Sequence, residues 1–452
     1  MNPPASAPVR EGLRADFLAV RAASLRLMAS LHAEDFRVQS MPDVSPPYWN
    51  LGHTSWFFAA NVLRPLAREP RGFDGFDFAF NSYYEGIGPR LSRPLRGKVA
   101  QPGTDRVRAY RAAVDAAMLQ WLDDCPSEQL PALAEVVTIG IEHERQHQEL
   151  FVTEILHIRA SAPAALREAY APAVASARRH ATGRHEPAPL GAVPFAATTT
   201  WLGHDEPGFG WDNEFPAHRV QVPDFVLADR LITNAEWLAF VQDGGYRRPL
   251  LWLSNGWAAV QQHGWQAPLY WESHGSHWQR WTLRGLVDVD AAAPVCHVSF
   301  YEADAFARWY GEQFAAWRHA RLPREQEWEH AARRSGFDQQ GGNLLDADDA
   351  AAFAQGAFDA LPAPVQNSRE PKLQQLAGDC WEWTLSHYEP YPGYRPFAGA
   401  LMEYNGKFMD NQRVLRGGSF ATPRRQARAR YRNFWPADTR FQATGVRLLV
   451  DG

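Results

Sequence analysis

Residues 141–150, Ile-Glu-His-Glu-Arg-Gln-His-Gln-Glu-Leu, carry the most informative pattern in the chain and lie within a predicted helix over residues 127–159. Residues four apart share one helical face, so His143 and His147 can direct both imidazoles at one ion. Apolar residues on the same face indicate that it points into the protein. The pattern predicts a buried metal site on this helix, and two hydrogen-bonded core histidines are the alternative.

The same residues fit the His-Glu-x-x-His signature of zinc proteases, in which Glu144 is the general base. The extended signature, with a glycine and a third histidine, is not present, although Glu168 lies at a spacing that suits a third ligand. A zinc hydrolase is therefore a competing hypothesis. A second competing hypothesis is a non-catalytic module that binds a ligand through the aromatic-rich second half of the chain.

A third histidine ligand is expected from another helix of the same region. The candidate is His53, within residues 49–58, Trp-Asn-Leu-Gly-His-Thr-Ser-Trp-Phe-Phe. This segment is otherwise apolar, so His53 is predicted to lie among core residues. Alone it fits a hydrogen-bonded core histidine, but together with His143 and His147 it suggests a three-histidine site.

The first third of the chain has apolar residues at helical spacing in four segments. Pro46 and Pro47 suit the start of the second segment, because proline is favoured at the first helical position. Four long helices with loops between them predict a helical bundle. The predicted helices are residues 11–36, 48–66, 104–122 and 127–159.

The composition changes near the middle of the chain, where residues 176–192 are rich in Ala, Pro, Gly and His and lack periodicity. We interpret them as a linker between domains at residues 1–175 and 193–452. The second domain alternates short strand-like runs with Gly, Pro, Asn and Trp. Its predicted helices are residues 299–314 and 324–334, and its strand-like runs are 220–226, 295–300, 414–415 and 445–450.

Composition narrows the class of protein. A net charge of −5 gives no reason to expect a nucleic-acid partner. No signal peptide and no apolar run of membrane-spanning length are visible, so no membrane partner is expected. Three scattered cysteines are too few for a disulfide framework, which indicates a reducing, cytoplasmic compartment.

Many segments in order resemble the ergothioneine-biosynthesis sulfoxide synthases (EgtB-like). In the first half these are SMPDVSPPYWNLGHTSWFF, FNSYYEGIGPR and IEHERQHQEL; in the second they include GFGWDNEFPAHRV, LPREQEWEHAAR, GDCWEWT and YRNFWP. The resemblance covers nearly the whole chain. It implies an α+β architecture, in which a DinB-like four-helix bundle precedes a C-type-lectin-like, formylglycine-generating-enzyme-like (sulfatase-modifying-factor) domain.

The resemblance also implies a cofactor and a reaction. Iron(II) would be bound by His53, His143 and His147, whereas Glu144 and Glu149 would not be ligands. The implied partners are hercynine (the trimethylammonium betaine of histidine), O2 and a selenosugar or thiol donor. The donor atom would be joined to C2 of the hercynine imidazole.

One pair of residues matches the family near its reacting groups, and a pair of arginines follows it in the same loop. Tyr83 and Tyr84 match a tandem tyrosine pair in the cysteine-using branch of the family, and one of them is the candidate catalytic phenol that donates a proton or hydrogen atom. Packing against the bundle is the alternative for both. Arg90 and Arg93 follow the pair and either bind a donor carboxylate or lie on the solvated surface.

Further residues match family contacts to hercynine. Gln146 matches a contact to its imidazole, and Asn433 matches a contact to its betaine head. Phe434 and Trp435 could face the trimethylammonium cation, because aromatic faces attract quaternary ammonium groups.

Several positions depart from the usual family pattern. Asn50-Leu-Gly replaces His-Leu-Ala before His53, Asp410 and Phe420 replace frequent cysteines, and Trp435 replaces a phenylalanine. These departures favour the selenoneine synthase branch (SenA-like), which uses a neutral selenosugar donor. A sulfoxide synthase that uses cysteine or γ-glutamylcysteine is the alternative. Formylglycine chemistry is not expected, because residues 416–423 contain no cysteine.

Overall fold

The computed structural model describes residues 6–29, 31–163, 166, 188–275, 277–283, 285–346, 361–365 and 372–452. These residues form two compact units. The first contains the described residues up to 166 together with Asp346 and Ala398–Tyr404, and the second contains the remainder. The predicted linker at 176–192 lies outside the described residues except for its last five positions, and Glu168 also lies outside them.

The first unit is helical, as the periodicity predicts. Its helices are α1 (Ser6–Leu27), α2 (Pro47–Phe58), α3 (Phe76–Phe80), α4 (Thr104–Asp124) and α5 (Leu130–Ala160). Helix α1 ends nine residues before the predicted boundary at Phe36. Beyond this end, Asp35 accepts a hydrogen bond from the N–H of His32 at 3.0 Å, so its side chain takes a backbone donor that a helix continuing to Phe36 would use.

Helix α2 also ends before its predicted boundary at Leu66. A π-helical turn, Ala59–Leu63, and a 3-10 turn, Arg64–Leu66, continue it. Pro65 explains the change, because a proline nitrogen cannot donate the helical hydrogen bond.

Helix α2 is buried along all 12 of its residues and packs against α4 and α5. A helix that is apolar on every side belongs in a core. Two glycines allow α2 to pack closely against α3 and α5. A Cβ on Gly52 would lie 2.2 Å from the Phe80 ring, and one on Gly140 would lie 2.5 Å from the Phe58 ring.

In its described residues, the second unit contains four small sheets. Their orders are β1-β4-β12, β10-β9-β8-β11, β2-β3 and β5-β6-β7, and all neighbours are antiparallel except β11 and β8. The strands are β1 (Ala192–Phe195), β2 (Thr198–Leu202), β3 (His218–Val222), β4 (Phe225–Ala228), β5 (Trp271–His274), β6 (His277–Thr282), β7 (Gly285–Asp288), β8 (Trp381–His387), β9 (Gln412–Arg416), β10 (Asn433–Pro436), β11 (Thr444–Gly445) and β12 (Leu449–Asp451).

The helices of the second unit are α6 (Asn234–Gln242), α7 (Ser254–His263), α8 (Phe300–Gln313) and α9 (Glu325–Ser335). Helices α8 and α9 confirm the two predicted helices. The predicted strand at 295–300 is wrong, because Ser299 caps α8 through a capping box with Glu302. The predicted run 220–226 is divided into β3 and β4 at Pro223, which has no N–H for a sheet.

In the described part of the chain, we find no helix with the length and apolar character needed to cross a bilayer.

Candidate metal centre

Three histidines of the first unit converge in its core. His53 comes from α2, and His143 and His147 come from successive turns of α5. One nitrogen of each lies within 4.8 Å of the others, and Nε2 of His53 is 3.1 Å from Nε2 of His143. Among the described residues, only these three form such a group of possible metal ligands. The structure thus brings together the predicted set.

Aromatic side chains hold the His53 ring in place. Trp49 and Trp56 stack near it, with ring centroids at 4.6 and 5.9 Å and interplanar angles of 16° and 18°. Their indole N–H groups donate to the Ala79 carbonyl and to Asp77. Residues three and four apart on one helix meet in this way, so α2 itself supplies both walls.

The nitrogens that face away from the cluster define the tautomers. Nδ1 of His53 lies 2.7 Å from the Phe80 carbonyl, and Nδ1 of His147 lies 3.0 Å from Oδ1 of Asn50. A carbonyl oxygen can only accept, so both Nδ1 atoms carry the proton and both Nε2 atoms present a lone pair. Nδ1 of His143 has no hydrogen-bond partner among the described residues.

The electrostatics suit a metal site. Burial lowers the pKa of all three imidazoles, to about 3 for His143, and the neighbouring histidines add to the effect for His53 and His147. The Nε2 lone pairs of the buried, neutral His53 and His147 face the cluster, and a cation between the three imidazoles would satisfy them. Two nitrogens at about 2.1 Å from one ion and at right angles would be about 3.0 Å apart, close to the observed 3.1 Å. The residues therefore fit a divalent transition metal.

Glu144 does not face the three histidines. Its Oε2 accepts a hydrogen bond from Arg21 at 2.8 Å, and its Oε1 accepts from Arg111 at 2.7 Å and Ser24 at 2.6 Å. Burial would raise the pKa of Glu144, but Arg111 and Arg21 outweigh it and hold that pKa at about 2. Both oxygens are engaged, so Glu144 connects α1, α4 and α5 and is not placed as the base of a hydrolase.

The tyrosine pair lies in a loop of the same unit. The rings of Tyr83 and Tyr84 stack at 4.7 Å, and fully buried Tyr84 packs 5.6 Å from Trp56. Half-buried Tyr83 faces Tyr404 edge-on at 6.4 Å. Of the pair, Tyr83 is therefore the tyrosine that lies beside Tyr404.

Tyr404 is a site residue that the sequence alone did not identify. It lies on Ala398–Tyr404, which belongs to the first unit although it is far along the chain. Its hydroxyl donates to Oε1 of Gln146 at 2.5 Å, and its ring is 5.7 Å from His143. Glu403 fixes the segment by accepting the backbone N–H groups of Glu85 at 3.1 Å and Gly86 at 2.8 Å.

Comparisons with known proteins show which families the two parts of the chain are similar to. The family model of the DinB superfamily matches residues 16–151, and that of the sulfatase-modifying factor enzyme 1-like domain matches residues 191–452. The hercynine oxygenases of Mycolicibacterium thermoresistibile and Mycolicibacterium smegmatis are each 34% identical to this chain. These alignments cover 98% of this chain and 96% and 99% of the relatives. The hercynine oxygenase of Mycobacterium tuberculosis is 32% identical over 98% of this chain and 99% of its own length.

The chain belongs to the hercynine oxygenase family. The predicted α+β class, a helical DinB domain followed by a sheet-containing sulfatase-modifying-factor domain, is confirmed.

Two arginines were predicted near the donor in this member of the hercynine oxygenase family. Nε of Arg90 forms an ion pair with Glu85 at 2.6 Å, on the exposed side of the loop. The charge of Arg93 lies close enough to His147 and Glu154 to lower the pKa of both, although burial is the larger influence on each.

The other predicted hercynine contacts of this hercynine oxygenase homologue lie in the second unit. Asn433, Phe434 and Trp435 form most of β10, and each is half-buried. Phe434 stacks on Tyr388 with ring centroids 4.0 Å apart, and Trp435 packs edge-on against Phe441 at 5.3 Å. Aromatic faces are thus held in fixed positions on one strand.

Proposed function

We propose that the protein is a non-haem iron(II), O2-dependent enzyme that joins a chalcogen donor to C2 of the hercynine imidazole. The observation that carries the proposal is the buried group of His53, His143 and His147 in a member of the hercynine oxygenase family. The three histidines would hold the iron. When bound, iron(II) would activate O2 and accept a soft sulfur or selenium ligand.

The proposed reaction balances in simple terms. The C2–H bond of hercynine and the chalcogen–H bond of the donor are replaced by one C–Se or C–S bond. If the product is a selenide or sulfide, the two protons and two electrons released pass to O2 and give H2O2. If the product is a selenoxide or sulfoxide, the chalcogen also takes one oxygen atom, so O2 accepts four electrons and the other oxygen atom leaves as water. The protein must therefore bind hercynine in a fixed orientation, bind the donor and move protons.

Gln146 and Tyr404 are proposed to orient the hercynine imidazole. The Tyr404 hydroxyl donates to Oε1 of Gln146. This hydrogen bond turns the amide oxygen of Gln146 toward Tyr404. Asn433, with the aromatic faces of Phe434 and Trp435, would bind the betaine carboxylate and its trimethylammonium group. We propose Tyr83 as the phenol that supplies a proton, because its ring faces Tyr404, whereas Tyr84 is fully buried against Trp56.

The donor is proposed to be a selenosugar, so the product would carry a C–Se bond. A neutral sugar needs no arginine, and Arg90 already pairs with Glu85 at 2.6 Å. A sulfoxide synthase that uses cysteine or γ-glutamylcysteine is the second candidate. It is supported by the 34% identity to hercynine oxygenases and by Arg93, whose charge acts near His147.

The proposed compartment is the cytoplasm. Cys125, Cys296 and Cys380 are all buried free thiols, as a reducing environment maintains.

The experiment that tests the function offers the iron-loaded protein hercynine and O2 with cysteine, γ-glutamylcysteine or selenosugar in parallel. Mass spectrometry should find an adduct at hercynine C2, formed fastest with the selenosugar. Fastest turnover with a thiol would assign the protein to the sulfoxide synthases. No O2 uptake with any donor, together with tightly bound zinc and O2-independent hydrolysis, would favour the zinc hydrolase. Unchanged ligand binding and function in His53→Ala would favour the non-catalytic module.

A further inference from the structure

A continuous hydrogen-bond chain joins His147 to a buried carboxylate. Nδ1 of His147 lies 3.0 Å from Oδ1 of Asn50, and Nδ2 of Asn50 donates to Oε2 of Glu154 at 2.6 Å. The other carboxylate oxygen accepts the backbone N–H of Ser45 at 2.9 Å. His147, Asn50 and Glu154 are all buried, with at most 8% of any side chain exposed. Solvent therefore cannot replace these contacts.

In this hydrogen-bond chain, the charge of Glu154 determines which groups donate and which accept. The ionised form of Glu154 can only accept, so it requires the NH2 group of Asn50 to face it and the Asn50 oxygen to face His147. That oxygen selects the His147 tautomer with the proton on Nδ1. The Nε2 lone pair is then available for a metal. Without Glu154, the Asn50 amide could rotate and select the opposite tautomer.

The polar and charged neighbours of Glu154 oppose the effect of burial on its ionisation. Burial raises its pKa to about 7, opposed by the Ser45 N–H, by the Asn50 amide and by the charges of Arg93 and Arg96. Nη1 of Arg96 also donates to Oγ of Ser45 at 2.9 Å, next to the Glu154 contact.

The three histidines differ in these outer partners. His53 donates to the neutral Phe80 carbonyl, and Nδ1 of His143 has no partner within the described residues. His147 alone among the three is linked to an ionisable group through an amide. Outer partners of metal-bound histidines set the tautomer and raise ligand basicity.

We propose that Asn50 and Glu154 are positioning residues that hold His147 in its metal-binding tautomer and strengthen its bond to the ion. The inference rests on the proposed function, since it concerns the same metal centre. It also gives a reason for Asn50, which sequence analysis identified only as a departure from the family pattern.

The test compares Glu154→Gln with the double variant Asn50→Asp/Glu154→Gln. In Glu154→Gln, Oε1 of the glutamine can still accept from Ser45, and its NH2 can donate to a rotated Asn50. Every hydrogen bond is then retained, but the rotated amide places the His147 proton on Nε2. In the double variant, the aspartate at position 50 can only accept, so it accepts from Nδ1 of His147 and restores the original tautomer. The glutamine at position 154 accepts from the Ser45 N–H and donates to the aspartate.

The readouts are the affinity of the apoprotein for Co²⁺, measured against a chromophoric chelator, and the thermal unfolding of the apoprotein. We expect Glu154→Gln to lose about 10- to 100-fold in Co²⁺ affinity, while the unfolding temperature of its apoprotein stays nearly unchanged. The double variant should recover most of the lost Co²⁺ affinity. Thr153→Val is the matched control. It removes a buried hydroxyl of α5 that bonds only to backbone carbonyls, and its affinity should equal that of the wild type.

The possible outcomes distinguish the positioning role of Asn50 and Glu154 from the proposed iron centre itself. Wild-type affinity in Glu154→Gln would overturn the positioning role, and so would a double variant that binds as weakly as Glu154→Gln. If Glu154→Gln does not fold, the double variant decides, because wild-type-like affinity is expected of it and weak affinity contradicts the role. A wild-type protein that binds no Co²⁺ would instead contradict the proposed iron centre.

Discussion

At the residue scale, the grouping of His53, His143 and His147 could be predicted, but their hydrogen-bond partners could not. The spacing of His143 and His147 on one helix face predicted a shared ion. The contact of His147 with Asn50 joins side chains 97 positions apart, and that of Tyr404 with Gln146 joins side chains 258 positions apart. No local pattern reports such contacts, because they depend on how whole elements pack.

Tyr404→Phe tests the residue that sequence reasoning missed. The variant removes the hydrogen bond to Gln146, so we expect the KM for hercynine to rise about 2- to 10-fold, as the loss of about 0.5–1.5 kcal/mol predicts. Metal affinity should not change. Tyr110→Phe removes a buried hydroxyl in α4 of the same unit and serves as the control. An unchanged KM in Tyr404→Phe, measured by steady-state O2 uptake, would argue against its role.

Glu144→Gln separates a structural carboxylate from a catalytic base. Glu144 pairs with Arg21 and Arg111 in the core, so we expect a loss of about 3–5 kcal/mol in the free energy of unfolding. Glu135→Gln is the control, because Glu135 is exposed on the same helix. Chemical denaturation measures both. A variant as stable as the wild type that loses a hydrolytic activity would support the zinc hydrolase instead.

At the scale of elements, helical periodicity predicted the long helices because each has a continuous apolar face. It did not predict where α2 ends, since Pro65 acts through a single side chain, and it gave no signal for the end of α1 at Leu27. The run 295–300 was predicted as a strand from its apolar residues alone. The cap formed by Ser299 with Glu302 was the signal that could have placed it before a helix.

Gly52→Ala tests the close approach of α2 to α3. The added methyl would lie 2.2 Å from the buried Phe80 ring, so we expect a loss of about 1–3 kcal/mol in stability. Metal affinity should also fall, because the Phe80 carbonyl is the partner of His53.

Gly12→Ala is the matched control for this variant. Nothing lies within 4 Å of the Cβ that it adds on the exposed face of α1, and alanine should stabilise that helix by about 0.5–1 kcal/mol. Equal unfolding midpoints for the two variants would show that the tight contact at Gly52 is unimportant.

At the scale of the whole molecule, the site of the first unit combines residues of the helical domain with the segment Ala398–Tyr404, which lies far along the chain. The two-domain order was predicted from the change in composition and from the family resemblance. The return of Ala398–Tyr404 to the helical unit was not, because residues on both sides of that segment belong to the second unit. Glu403 holds the segment through two backbone N–H groups, an arrangement that no sequence motif reports.

The most direct measurement is the iron content of wild-type protein and His53→Ala after anaerobic loading with iron(II). We expect one iron ion per wild-type chain and almost none in the variant, with the same far-UV circular dichroism for both. Since a ligand that binds only the folded state stabilises it, iron should also raise the unfolding temperature of the wild type alone. Full iron loading of a folded His53→Ala protein would contradict the three-histidine centre.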